Sequence, residues 1–300
     1  MTKDSSSPAA PSLFKQPKPL DSQAHRSLRL QARQPYHFAA QQSLVPVMAS
    51  EMAQVAREYA VVFSHAPGSL PLALLGARQG HNAYVRPSGH WAARYVPAHV
   101  RRYPFVLAES APANAAQGAN GTNGTNGAGA ADTAGTRLVM VDADAPHLVS
   151  EGGLPLFESD GKPSQVLQQV QNVLVMLERD SLRTLQLMAE IEAAGLLIER
   201  MIPLQPRTGA PLGLNGLRVV DEERLAALDP ATLHALQKSG ALRLVYAHLM
   251  SIANLLDGPL VEGLAAEADA KAANGGGSAT GGSSGSSGSI SFEGIDWSKF

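Results

Sequence analysis

Leu196-Leu-Ile-Glu-Arg-Met-Ile202, then Pro206-Arg-Thr-Gly209, then Leu214-Asn-Gly-Leu-Arg-Val-Val220 is the stretch that decides the fold class. Two short apolar runs rich in β-branched residues flank a Pro/Gly turn, which predicts an antiparallel strand pair. What surrounds that pair is helical. Upstream, Gly161-Lys-Pro163 opens a run with apolar residues at Val166, Leu167, Val170, Val173, Leu174 and Leu177, the stripe of one buried helix face. Pro163 suits its first turn, and Asp180 is placed to cap a second helix through Leu182, Leu185 and Ala189 that Gly195 ends. Downstream, Asp221 caps a helix with Leu225 and Leu228. Asp229-Pro230 starts another that Gly240 stops, and a last helix carries Leu242, Val245, Leu249, Ile252 and Leu256. Strands and helices do not alternate as βαβ units would require. The sequence therefore predicts an α+β fold with a mainly antiparallel sheet and packed helices in the C-terminal half.

Toward the N-terminus, Val61-Val62-Phe63 reads as a short buried strand. Leu72–Ala77 and Asn82–Arg86 flank Arg78-Gln-Gly80, which predicts a β-hairpin with Gly80 at positive φ. Gly89 makes a further turn. Phe105–Ala108 and Arg137–Asp142 are expected strands, joined by an Ala/Gly/Asn-rich insertion at about 110–136. That insertion has too little apolar surface to offset the entropy of ordering it. Residues 1–34, rich in Ser, Pro and Gln, read as a disordered tail. The folded domain is expected over 35–262. Residues 263–289 then read as a flexible Gly/Ser-rich linker, and 290–300 as a C-terminal aromatic peptide carrying Phe292, Ile295, Trp297 and Phe300. Two readings of that peptide stand: docking in cis on its own domain, or docking on another protein.

Composition narrows the function. Lys plus Arg total 24 against 26 Asp plus Glu, so no global positive field draws nucleic acid. There are no cysteines, which removes disulfides, thiolate metal sites and cysteine nucleophiles. No secretory signal pattern opens the chain, and no stretch approaches the roughly 18 apolar residues of a membrane span, so no membrane insertion and a cytoplasmic location are expected. Phosphate-binding glycine loops are missing, so no cofactor is expected. Gly281-Gly-Ser283-Ser-Gly285 matches a nucleophile-elbow pattern, but a Gly/Ser coil lacks the strand and helix the motif needs. Ser64-His65 and Ser88-Gly-His90 are neighbours in sequence only, which is no sign of a triad. Asp142, Asp144 and His147 are weak candidates for a cation site, because alternate residues of a strand share a face.

The strongest candidate site is Trp91-Ala-Ala-Arg94-Tyr95-Val96-Pro97-Ala-His99-Val100-Arg101-Arg102-Tyr103-Pro104-Phe105, the densest run of aromatic and guanidinium groups. Arg94, Arg101 and Arg102 suit bidentate contact with carboxylate or phosphate, while Trp91, Tyr95 and Tyr103 offer rings for stacking. Core packing is the competing explanation for the same aromatics.

These residues resemble the bacterial SapC family, named after an S-layer-associated protein. The resemblance rests on Tyr59-Ala-Val-Val-Phe63, Leu74-Leu-Gly76, Trp91-x-x-x-Tyr95-Val-Pro97-x-x-x-Arg101-Arg-Tyr-Pro-Phe105, Leu156-Phe157-x-x-x-Gly161, Gly216-Leu217-x-x-Val220-Asp-Glu222 and Gly240-x-Leu-x-x-x-Tyr246-Ala-His-Leu. It implies an association with surface layers, and with the TonB-dependent receptors and flavin-dependent tryptophan halogenases beside which such proteins are often encoded. It carries over no catalytic residues, and it does not extend to the peptide-transporter permease of the same name. The expectation is a non-catalytic accessory or binding protein for cell-surface layer assembly or outer-membrane nutrient uptake, taking a protein partner or small anionic ligand. The rival is an enzyme acting on a peptide or amino-acid-like substrate held by the same Arg/aromatic cluster, with His65, His81 or Asp142 as acid or base.

Overall fold

Caps and left-handed glycines bound the helices, and short β-branched runs set the strands. The computed structural model describes residues 13–31, 34–109, 137–205, 211–264 and 288–291. In chain order the strands are β1 (Pro17–Pro19), β2 (Arg29–Leu30), β3 (Leu44–Pro46), β4 (Val61–Val62), β5 (Leu72–Leu74), β6 (Phe105–Glu109), β7 (Arg137–Asp142), β8 (Leu148–Val149), β9 (Leu154–Pro155), β10 (Leu197–Glu199), β11 (Ile202–Leu204), β12 (Leu212–Asn215), β13 (Arg218–Val220) and β14 (Gly288–Ser291). The helices are α1 (Met52–Val55), α2 (Ala98–Arg101), α3 (Gln165–Ala193), α4 (Glu222–Ala226), α5 (Pro230–Ser239) and α6 (Ala241–Ser251). The fold is α+β, with small sheets that are antiparallel except where β14 joins β12.

The chain forms two compact units. The larger comprises, among the described residues, Leu13, 34–103 and the chain from Met176 onward. Its sheet β3-β5-β4 sets Val45 opposite Ala73 and Val61 opposite Ala73. The helices that follow it are set by local chemistry. Asp221 accepts from the Glu223 and Arg224 N–H groups, and Asp229 from those of Ala231 and Thr232. Each such cap satisfies otherwise orphaned donors and stabilises by about 1 kcal/mol. Gly240, at φ +96°, ends α5 in a left-handed turn that a side chain would disfavour. The core joins Leu44, Val62, Leu72 and Leu74 to Leu204, Leu214, Leu217 and Leu255.

The smaller unit comprises 14–31 with Pro104–Val175. It holds two three-stranded sheets, β1-β7-β6 and β8-β2-β9. Phe105, Val141, Leu156, Phe157, Leu167 and Leu174 form its core.

Several expectations are corrected. Residues 13–31, assigned to a disordered tail, contain β1 and β2. Pro17 and Pro19 are tolerated because β1 is an edge strand, where a missing N–H costs nothing in the ladder. Asn82–Arg86 is not the second strand of a hairpin. Both edges of β5 are taken, by β3 and β4, and Asn82 instead builds a turn by accepting from the Tyr84 N–H and donating to the Ala39 carbonyl. Gly80 does take positive φ, at +74°. Asp180 caps no second helix. It lies within the unbroken α3, where its side chain accepts from the Ser50 hydroxyl and its carbonyl accepts from Thr184 Oγ1 at 2.7 Å. No Gly or Pro interrupts 165–193, so nothing stops the helix before Gly195.

Ala241–Leu264, with hydropathy 1.3, has the length and composition of a membrane span, against the expectation that no stretch approaches one. Its conformation is interrupted, and its polar residues bond to neighbouring main chain, while Tyr246, Met250 and Leu256 stay exposed. Ile252–Leu255 tightens to a 3₁₀ turn and Gly258 takes φ +104°, so the chain is no continuous α-helix. Ser251 accepts from the Val61 N–H at 2.9 Å, and Asn254 Nδ2 donates to the Ala56 and Tyr59 carbonyls at 3.0 Å each.

Candidate functional site

Two glutamates organise the Trp91–Tyr103 segment, and neither stood among the sequence candidates. Glu51, buried just before α1, accepts from the Met48 N–H at 3.1 Å through one oxygen. Through the other it accepts from the Tyr95 hydroxyl at 2.7 Å and the Ala98 N–H at 2.8 Å. Glu58 accepts from the Arg94 N–H at 2.6 Å and the Tyr95 N–H at 3.2 Å. Four main-chain donors and one phenol thus converge on two carboxylates. Hydrogen bonds to a carboxylate are the stronger kind, which is how a segment with a single isolated bridge, Trp91 to Val85, is held in one shape. Sequence gave no signal for them, because their partners are mostly backbone groups more than 35 residues away.

The aromatic candidates divide. Trp91 lies in the core at 3% exposure and Tyr103 at 6%. Trp91 Nε1 donates to the Tyr59 hydroxyl at 2.7 Å, which in turn donates to the Tyr95 carbonyl. The indole sits edge-on to Tyr36, with centroids 5.3 Å apart. Tyr103 stacks on Phe38 at 4.2 Å. Both rings are therefore packing residues, and neither presents a face for stacking on a ligand. Gly89 allows the close approach that completes this packing. It has φ +79°, and a Cβ there would lie 2.3 Å from Pro35 Cβ.

The guanidinium candidates divide too. Arg102 is mostly buried, and desolvation pulls its pKa down to about 10. The neighbouring His99 is held neutral, well below the ordinary imidazole value, first by burial and then by the Arg102 charge. Arg94 and Arg101 are exposed, and neither makes an ion pair with another described residue. Arg101 is nonetheless fixed. Its Nε donates to the Val96 carbonyl at 2.8 Å, one terminal nitrogen donates to the Tyr95 hydroxyl at 2.9 Å, and its centre lies 5.2 Å from the Tyr95 ring centroid. Burial, then the bond and charge of Glu51, push the Tyr95 phenol up to about 12, so it stays protonated. A relay runs from the buried Glu51 through Tyr95 to Arg101. It leaves the rest of the five guanidinium N–H donors unused. The guanidinium plane is thereby fixed in orientation.

The remaining candidates have structural partners. Both Asp142 oxygens are engaged, accepting from the Lys15 and Gln16 N–H groups at 2.9 Å each. Asp144 donates its own N–H to Asp142 at 3.4 Å, and burial lowers the His147 pKa. Among the described residues, no group of three or more His, Asp or Glu is placed to hold a metal. His65 pairs with Glu199 at 3.1 Å, and Ser64 Oγ donates to the Ala66 carbonyl. Ser88 Oγ accepts from the His90 N–H at 3.4 Å. Arg101's contacts include no His or Asp side chain. Gly281–Gly285 and Phe292–Phe300 lie outside the described residues.

Fold and site together define an α+β protein with an exposed arginine braced, through Tyr95, by the buried Glu51. The family model SapC matches residues 20–257, nearly the whole of both units. The chain belongs to the SapC family. No curated protein and no solved structure matches the sequence.

Proposed function

We propose that this chain is a non-catalytic binding protein that captures an anionic group of a protein partner or small ligand on Arg94, Tyr95 and Arg101. The observation that carries the reading is the bracing of Arg101. An exposed arginine normally gives up side-chain entropy of about 2 kcal/mol when it binds. Here two hydrogen bonds and a ring have already restricted it. Such pre-organisation lowers the cost of association. Of the polar residues a catalytic reading would need, His65 is occupied by Glu199 and Asp142 by main-chain amides, and His81 is not among the contacts of Arg101. The reading extends to a role in surface-layer assembly or outer-membrane nutrient uptake from the cytoplasm, which rests on the sequence resemblance to SapC proteins and on the sequence pattern.

The test compares the full chain with a double variant, Arg94→Ala with Arg101→Ala, in affinity capture from the native host followed by mass spectrometry. Losing charge-assisted contacts of about 1.5–3 kcal/mol each predicts at least a tenfold loss of the captured species. The melting temperature should stay within about 2 °C, because both side chains are exposed. Equal capture by both proteins, or turnover of a retained small molecule by the wild type, overturns the reading.

A further inference from the structure

Strand β14 is the one parallel partner among the described strands, and it returns to its sheet from beyond α4, α5 and α6. Its register sets Gly288 opposite Leu212, Ser289 opposite Gly213, Ile290 opposite Leu214 and Ser291 opposite Asn215. It occupies the outer edge of the sheet β11-β12-β14. A further bond to it runs from Gln79 Nε2 to the Ser291 carbonyl at 3.2 Å. That bond and the ladder both address main-chain atoms. The strand sequence itself, Gly-Ser-Ile-Ser, offers one large side chain. Residues 265–287, rich in Gly, Ser and Ala, join it covalently to the rest of the chain.

Recognition by main-chain bonds does not ask which molecule supplies the strand. The matching strand of another copy fits the β12 edge with the same contacts, and only the tether favours the strand of the same chain. We infer that the β12 edge is an exchange site that takes the C-terminal strand of a second copy of this chain. Exchange of an identical element is a low-cost route to association, because no new surface has to evolve. The balance is set by concentration. Covalent linkage gives the strand an effective concentration of about a millimolar at its own edge. Copies dilute in solution close on themselves. Copies crowded together, as on a common scaffold, exchange strands.

The cysteine-free chain makes the test direct. Asn215 and Ser291 are register partners, so one full-length copy carries Asn215→Cys and a differently tagged full-length copy carries Ser291→Cys. A double variant with both cysteines reports pairing within one chain. The two single variants are mixed over a range from micromolar to millimolar and treated with a short bifunctional thiol reagent. The expected result is internal cross-linking of the double variant at every concentration. Cross-links between the two tagged copies should rise steeply over the same range and reach about half near a millimolar. An excess of a synthetic peptide covering residues 285–300, with its own serine at 291, should suppress both products. Internal cross-linking without any product between copies overturns the inference. So does a double variant that fails to cross-link, since β14 then does not occupy this edge, and so does a product between copies that the peptide leaves untouched.

Discussion

His248 and Val61 are joined at 2.7 Å through the imidazole Nδ1 and the main-chain carbonyl. The Val220 N–H donates to Nε2 of the same ring at 3.1 Å. The second bond makes Nε2 an acceptor, so Nδ1 carries the proton and donates. One neutral imidazole in α6 thereby ties β4 to β13, beside the isolated bridge that pairs Phe63 with Arg218. Phe63 packs against its ring, with centroids 4.9 Å apart.

That arrangement predicts acid sensitivity. Burial pulls the His248 pKa down to about 4, below its unfolded value of about 6.5. Between the two values the unfolded chain binds more protons. The contribution of neutral His248 is complete above pH 6.5 and is lost as pH falls through the window to about 4, with a total on the order of 3 kcal/mol. His99, also held neutral by burial, acts with the same sign. Urea unfolding of the wild type should show a clear fall in stability from pH 7 to pH 4.5. His248→Gln keeps a donor and an acceptor and should be less stable at pH 7 but flatter across the window. Parallel curves for the two proteins would assign the acid loss to other groups.

Glu51 predicts a larger effect than its type suggests. Glu51→Ala removes the acceptor of the Met48 and Ala98 N–H groups and of the Tyr95 hydroxyl, all within a buried setting. Leaving such donors unsatisfied costs about 1–3 kcal/mol each before relaxation, so a loss of at least 3 kcal/mol in chemical unfolding is expected. Tyr95→Phe separates stability from binding. It keeps the ring and removes the bonds to both Arg101 and Glu51, so it should weaken anion capture several-fold while costing about 1–3 kcal/mol of stability. A Tyr95→Phe protein with wild-type capture would show that the relay does not position Arg101.

Asp142 anchors the entry of the chain into the smaller unit. Its two oxygens take the Lys15 and Gln16 N–H groups just before β1 pairs with β7. Asp142→Ala should loosen that edge strand and open a proteolytic site near Lys15 or Lys18, read by limited trypsin digestion and mass spectrometry. An unchanged digestion pattern would mean that the β1–β7 ladder holds without the aspartate. A cation added to the wild type should not protect this site further, because the carboxylate is already engaged by amides.

How far sequence reaches is visible in these residues. Asp221, Asp229-Pro230 and Gly240 were legible because a cap acts over two or three residues and its chemistry is written locally. Asp180 has the same chemistry but sits in the middle of an amphipathic run, where the continuing apolar stripe outweighs a cap preference. The Asn82–Arg86 hairpin failed for a non-local reason, since the edge it needed on β5 belongs to β3. The candidate segment was legible as a cluster, but its orientation was not. Aromatic and guanidinium residue types mark both cores and recognition surfaces, and only the positions of Glu51, Glu58 and Phe38 decide which side each one faces.

Glu109 and Arg137 stand opposite one another at the end of the β6–β7 ladder. Residues 110–136 therefore leave and re-enter the sheet at neighbouring points, about 5 Å apart. A polypeptide spliced in there would hang from the protein as from a single hook, and doubling its span would cost only about 0.6 kcal/mol. The site is ready-made for a fluorescent reporter or an affinity handle.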